Sequence, residues 1–278
     1  MNVAEIEERK RRIIEKYGPW SAHNILLGGD VYTIGRGVAG DEVKLRRILQ
    51  CVADSAGRPL ETLRVLDLAC LEGLYAVELA RHGAEVVGIE GREANIAKAQ
   101  FAKEVLGLQR LALQQDDVRN LSRRKHGEFD VVLCLGILYH LDAPDVFAFL
   151  EAIGEVCRGF ALVDTHVSLA AEKSSVYKGK QYWGRAYREH APGASPAEKS
   201  QRLWASLDNP ESFWFTRASL YNALAHAGFT TVHECHMPPE LEKPADRVTL
   251  LALKGRRQAL LSSPILSALP VEDLAEGP

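Results

Sequence analysis

Three carboxylates are spaced as a nucleoside-binding set would be. Asp67 ends the apolar run in "RVLDLAC", Glu90 follows 23 residues later at the end of "AEVVGIE", and Asp117 comes just after "LALQQD". A separation of about twenty residues is that at which an acid reaches ribose hydroxyls beyond a strand–turn–helix unit. A carboxylate accepts from both hydroxyls at once. An aspartate past the third run can accept from an exocyclic adenine amine, while the N–H of the next residue, Val118, donates to a ring nitrogen. Each acid alone reads as a solvated turn residue, but the three together describe an adenosine site. The turn after Asp67, "ACLEG", places Ala69, Leu71 and Gly73 where a dinucleotide loop carries three glycines. The second of those glycines lets the backbone approach a pyrophosphate. A leucine blocks that approach, so the loop suits a phosphate-free adenosine ligand and disfavours NAD, FAD and nicotinamide-dependent oxidoreduction.

The elements that must hold these residues alternate. "LRVLDLAC", "AEVVGIEG", "LALQQDD", "EFDVVLCLG" and "GFALVDTHV" read as strands, separated by helices such as "YAVELARHG", "REANIAKAQFAKEVLG" and "APDVFAFLEAIGEVC". The strands are mostly continuous apolar runs, the mark of a sheet covered on both faces. Strand–helix alternation gives parallel βαβ units, hence a doubly wound α/β sheet with ligands at the strand carboxyl ends. "TRASLYNALAHAGF" is a further helix with Thr216 as N-cap and Gly228 just past its end, and "TTVHECHM" and "RVTLLALKG" are closing strands. The reading is a seven-stranded, mostly parallel sheet of the Rossmann-like kind over residues 59–257. An N-terminal helical cap (1–58) precedes it, with Asp41 as a cap for its second helix. An aromatic and basic lid insertion (168–212) follows the fifth strand, and 258–278 is a weakly patterned tail.

The chain has 278 residues, 46% hydrophobic and 26% charged, with a net charge of −3. No overall field draws it to nucleic acid. Its five cysteines are scattered without a C-x-x-C pair, so neither a metal site nor a disulfide framework is expected. No stretch approaches membrane-spanning length and no secretory h-region opens the chain. A cytoplasmic protein is expected, with a homodimer left open.

"VLDLACLEG", "VVGIEGRE", "QQDDV" and "FDVVLCLGILYHL" resemble the successive motifs of class I S-adenosylmethionine-dependent methyltransferases. The resemblance covers roughly residues 60–255 and implies that Asp67, Ala69 and Gly73 hold the methionine part of the cofactor. It further implies that Glu90 holds the ribose, Asp117 and Val118 hold the adenine, and the carbonyls around Leu135 receive the amino group. The family pattern is D-x-G-x-G-x-G, from which Ala69 and Leu71 depart. "PWSAHNILL", "GILYHLDAP" and "FWFTRASLYNALAHAGF" are also similar to the bacterial tRNA wobble-uridine carboxymethyltransferase branch, which uses a carboxylated donor.

Methyl transfer needs an oriented acceptor and, for some acceptors, a base. On this reading Tyr139 and His140 face the methyl group with His140 as a base, and His166 at the end of the fifth strand is a second candidate. Trp20 and His23 cap the cofactor, and Arg36 pairs the methionine carboxylate. Tyr182, Trp183 and Arg185 belong to a lid for a planar or anionic acceptor, or else to the core of a small helical subdomain. The function expected is methylation of a small-molecule acceptor, with secondary metabolism as one setting. The rivals are a wobble-uridine type RNA-modifying enzyme and a non-catalytic module that binds the adenosine cofactor.

Overall fold

The computed structural model describes residues 1–37, 42–235 and 244–263. Helix α1 (Val3–Tyr17) starts at Asn2, whose side chain accepts from the Glu5 N–H while Glu5 answers to the Asn2 N–H. A short hairpin, β1 (Leu26–Gly28) and β2 (Val31–Tyr32), and helix α2 (Glu42–Ala56) complete the N-terminal part. Asp41, expected to cap α2, lies outside the described residues. Then come β3 (Arg64–Leu68), α3 (Leu74–Arg81), β4 (Glu85–Glu90), α4 (Glu93–Leu106), β5 (Leu111–Gln115) and α5 (Arg123–His126). They are followed by β6 (Phe129–Leu135), α6 (Asp145–Val156) and β7 (Cys157–His166). The insertion contributes β8 (Lys173–Tyr177), β9 (Lys180–Arg188), α7 (Pro196–Gln201) and β10 (Glu211–Phe215). Helix α8 (Arg217–His226), β11 (Thr231–Glu234) and β12 (Arg247–Leu253) complete the described elements.

The central sheet has seven strands in the order β11-β12-β7-β6-β3-β4-β5. β3, β4, β5, β6 and β7 pair in parallel, and β12 is antiparallel to both neighbours. The expected doubly wound sheet is therefore present, and its order reverses between β3 and β6, where a crevice opens at the carboxyl ends. Side-chain alternation divides each central strand between two apolar layers. Val65, Val86, Val131 and Leu133 pack with α2, α3 and α4, while Leu66, Val87, Val132 and Cys134 pack with α6 and α8. Both faces are dry, which is why the strands read as unbroken apolar runs and not as alternating ones.

Helix ends follow their local chemistry. Thr216 accepts from the Ser219 N–H at the start of α8, and Gly107 (φ 65°) ends α4 in the left-handed region that a side chain would strain. The insertion differs from a helical subdomain: β8, β9 and β10 form an antiparallel sheet in the order β10-β9-β8. Aromatic and β-branched residues in "SSVY", "YWGRAY" and "FWF" fit a pleated surface, and "YKGK" supplies the hairpin turn with Gly179 at φ 78°. The sheet runs on to Phe215, past the expected limit at 212. No described helix is long and apolar enough to cross a membrane.

Candidate active site

The loop that departs from the glycine pattern keeps the glycine backbone. Ala69 (φ 52°), Leu71 (φ 50°) and Gly73 (φ 89°) all lie in the left-handed region. Each side-chain-bearing residue there costs about 1–2 kcal/mol of backbone strain. The turn is held against that strain by Cys70 N–H donating to Ile89 O at 2.9 Å and Gly73 N–H donating to Cys70 O at 2.8 Å. Gly73 itself is required by packing, because a Cβ there would meet Ala99 Cβ on α4 at 2.9 Å.

A segment from the N-terminal part seals the loop. Glu72, fully buried, accepts from the backbone N–H groups of Ser21 (2.8 Å), Ala22 (3.2 Å) and His23 (3.1 Å). Lys98 on α4 donates to Glu72 at 3.1 Å and to Pro19 O at 2.7 Å. His23 then accepts from the Leu74 N–H at 3.1 Å, capping α3 from outside its own chain segment. Burial holds the His23 pKa down to about 4, consistent with a ring nitrogen that serves as an acceptor.

Asp67, Glu90 and Val118 open onto one cleft, together with Ala69, Leu135, Tyr139 and His140. Asp67 is 2% exposed and its Oδ2 has no hydrogen-bond partner. Burial raises its carboxyl to about 7, against an opposing backbone N–H at Ala76 and with a further push from Glu90. Glu90 is oriented by two backbone donors, Leu71 N–H to Oε2 (3.0 Å) and Arg92 N–H to Oε1 (2.8 Å), with Asn95 at 3.4 Å. Oε2 retains a second lone pair, whereas Oε1 already accepts from both Arg92 and Asn95. Burial raises the Glu90 pKa, and those donors oppose the rise.

The opposite wall carries His140, with His166 behind it against Tyr139. His140, in the turn after β6, has Nδ1 at 3.0 Å from both oxygens of Glu189. Its ring lies 4.3 Å from that of Tyr139, whose carbonyl accepts from the Trp214 indole at 2.9 Å. His166 pairs through Nδ1 with Asp246 at 3.0 Å and stacks on Trp214 at 4.9 Å. Burial and then Arg247 lower its pKa, with Asp246 opposing. Between the walls, Asp164 is matched to two cations: Lys44 Nζ at 3.0 Å and Arg247 Nε at 2.8 Å. They outweigh the cost of burial and bring its pKa to about 2.

A strap from the insertion covers the adenosine side. Arg92 donates to the carbonyls of Arg202 (2.8 Å), Ala205 (3.0 Å) and Ser206 (3.4 Å). Gly91 makes room for it, since a Cβ there would meet Leu207 Cδ1 at 2.6 Å.

Residues 65–159 match the family described as methyltransferase domain. Over those residues the chain is similar to a methyltransferase domain. Among curated relatives, a ubiquinone biosynthesis O-methyltransferase of Azorhizobium caulinodans is 39% identical over 111 residues, 39% of this chain and 42% of that protein. The corresponding enzyme of Maricaulis maris is 37% identical over 93 residues, 34% of this chain and 36% of that protein. The matches therefore span about two-fifths of these relatives' length. Among solved structures, the N-terminal domain of EvdMO1 with SAH bound is 26% identical with a TM-score of 0.69, covering 92% of this chain and 98% of that one. The same domain in the presence of SAH and D-fucose has a TM-score of 0.67. Magnesium protoporphyrin IX methyltransferase from Synechocystis, 18% identical with a TM-score of 0.51, shares the fold.

Several residues expected at the site lie elsewhere. Asp117 turns away from the cleft onto Arg119, accepting at 3.0 Å, because it caps the turn that follows β5. Arg36 is exposed and paired with Asp30 at 3.2 Å, outside the cleft. Trp20 packs on Phe101 in the core. Tyr182 is buried against Phe147, with its hydroxyl 2.7 Å from His226 Nδ1. Trp183, 44% exposed, projects from the insertion sheet, and Arg185 lies over Trp214 at 4.2 Å. None of these six side chains lines the cleft, and neither does His166, which touches it through Tyr139. His23 does line it. Lys44, Arg247, Asn95 and Glu189 were not legible, since no short motif marks them.

Proposed function

We propose that the protein is an S-adenosylmethionine-dependent methyltransferase acting on a hydroxyl group of a small molecule. One observation carries this reading: carboxylates at neighbouring strand ends open onto a single cleft in which Asp67 Oδ2 is buried without a partner. Such an atom is costly unless a ligand donor meets it. The α-ammonium and ribose hydroxyls of the donor are donors of that kind. Asp67 with the Ala69 carbonyl would hold the methionine end, Glu90 the ribose, and the Val118 N–H the adenine, with the Leu71 side chain over a nucleoside that brings no phosphate. The bound donor supplies a methyl group on a sulfonium, so that sulfur leaves as a neutral thioether. His140 takes the acceptor's hydroxyl proton on Nε2 as the oxygen–carbon bond forms, and Glu189 stabilises the resulting imidazolium. The strap over Gly91, which brings Ala205, Ser206 and Leu207 to the cleft, would cover the bound donor. The named relatives that are O-methyltransferases, and the neighbour crystallised with SAH and a sugar, support an oxygen acceptor.

Glu90→Ala should weaken donor binding at least tenfold, about 1.4 kcal/mol, by titration calorimetry; unchanged affinity removes Glu90 from the ribose role. His140→Gln should lower turnover of any acceptor that the parent protein methylates by at least about a hundredfold, with donor affinity retained. Normal turnover in that variant defeats the base assignment. A wobble-uridine type activity would call for free cations beside the mouth. In the "RRK" run, Arg123 is paired with Glu128 and Lys125 with Asp116.

A further inference from the structure

Glu189 stands just past β9 and is 2% exposed, yet it does not line the cleft. A buried carboxylate costs several kcal/mol unless its lone pairs are met, and here they are met from three separate parts of the chain. His140 Nδ1 lies 3.0 Å from each oxygen, Ser212 Oγ on β10 donates to Oε1 at 2.8 Å, and the Ser206 N–H donates to Oε2 at 2.9 Å. Ser206 belongs to the strap that lines the adenosine side, where Arg92 holds its carbonyl and those of its neighbours. His190 Nε2 lies 3.0 Å from the same Ser206 carbonyl, so the strap is gripped on both sides of one peptide. Burial alone would raise the Glu189 pKa; the bonds from His140, Ser206 and Ser212 outweigh it and keep the group ionised.

An ionised carboxylate on Nδ1 accepts a hydrogen there and cannot donate one. The imidazole is thereby held in the form with hydrogen on Nδ1 and a lone pair on Nε2. That is the form a base requires. We propose that Glu189 is the positioning residue of the His140 base, and that through Ser206 it ties the base's tautomer to the seating of the strap. The inference rests on the reading of His140 as a base. With the strap seated, Glu189 receives three protein donors and fixes the ring. With the strap lifted, the carboxylate loses the Ser206 N–H, admits water, and holds the ring less firmly. Donor enclosure and base orientation are then a single closing event, so the base is set when the nucleoside is covered.

The test uses the full-length ¹⁵N-labelled protein and long-range ¹H–¹⁵N spectra of the histidine rings, with the His140 signals assigned by their loss in His140→Gln. The parent protein should show His140 protonated at Nδ1 with Nε2 bare. In Glu189→Gln the side-chain amide can donate to Nδ1, and the pattern should move to the Nε2-protonated form or to a mixture. Hydrogen exchange at the Ser206 amide should rise at least tenfold in the same variant. Glu189→Asp, which keeps the charge, should retain the Nδ1-protonated pattern and guards against a variant that fails to fold. A parent His140 protonated at Nε2, or a Glu189→Gln pattern identical to the parent's, overturns the proposal. Normal turnover in His140→Gln would instead defeat the base reading while leaving this ring-nitrogen result as it stands, so the two failures are distinguishable.

Discussion

Lys98→Ala should cost about 3–5 kcal/mol of folding stability, because it strands a buried charge. Lys98 is 2% exposed and Glu72 is fully buried, and their contact at 3.1 Å is the junction of α4, the cofactor loop and the N-terminal segment. Glu72 cannot turn to water when its partner is removed, since its oxygens are held by the backbone of Ser21, Ala22 and His23. Pro19 O loses its donor in the same step. Removing both charges together, Glu72→Gln with Lys98→Met, should recover part of the loss, because no unpaired charge is then left buried, less the backbone bonds that the amide NH2 cannot accept. Chemical denaturation midpoints of the two variants check this. A loss below about 1 kcal/mol in Lys98→Ala would mean that the contact is solvated in solution.

The second large effect is a pH dependence placed in Asp67. Its carboxyl titrates at about 7 in the folded chain against an ordinary value of 3.8. Between those values the native chain keeps a proton that the unfolded chain has released, so stability falls as pH rises through that window. The full linkage is roughly 4 kcal/mol, at 1.36 kcal/mol per unit. His23 works in the opposite sense: its depressed pKa of about 4, against 6.5, removes stability as pH falls through 6.5 towards 4. The total pH profile therefore hides both. The difference between Asp67→Asn and the parent protein cancels His23 and should grow in the variant's favour by up to about 4 kcal/mol from pH 4 to pH 8. A flat difference would place Asp67 in contact with water or with a partner. Donor binding should depress the same group, since an ammonium or hydroxyl donor meets the orphan oxygen. Titrations near pH 6.5 in buffers of unlike ionisation enthalpy should then register proton release. The same Asp67→Asn variant, more stable at pH 8, should bind the donor more weakly.

What could be read in the sequence was set by local chemistry. Continuous apolar runs and helix caps such as Thr216 fixed the sheet and its helices, because both depend on residues close in the chain. The carboxylates at the ends of β3 and β4 followed from spacing alone, and the structure brings Asp67 and Glu90 to one cleft. The glycine pattern was legible only in part: Ala69 and Leu71 break it as residues and keep it as backbone, a conformation that long-range packing imposes. Asp117 misled because the same spacing serves equally well for a capping aspartate, and Arg119 two residues on decides between the two uses. Glu189 lies 49 residues from His140, and Lys44 and Arg247 meet at Asp164 from opposite ends of the chain. Such contacts have no short-range signature. The aromatics of the insertion read as a lid or as the core of a helical subdomain, and neither reading foresaw a sheet, in which Tyr182 and Phe215 face the core by strand alternation while Trp183 faces out.

The claim beneath the whole account is that this cleft holds a phosphate-free adenosine on a sulfur-bearing amino acid. A crystal structure of the protein soaked with S-adenosylhomocysteine tests it most directly. The account predicts ribose hydroxyls on Glu90, the adenine ring against the Val118 N–H, and Asp67 Oδ2 partnered by the ligand. Density for the nucleoside anywhere else, or a cleft containing only solvent with Asp67 and Glu90 unchanged, would contradict it.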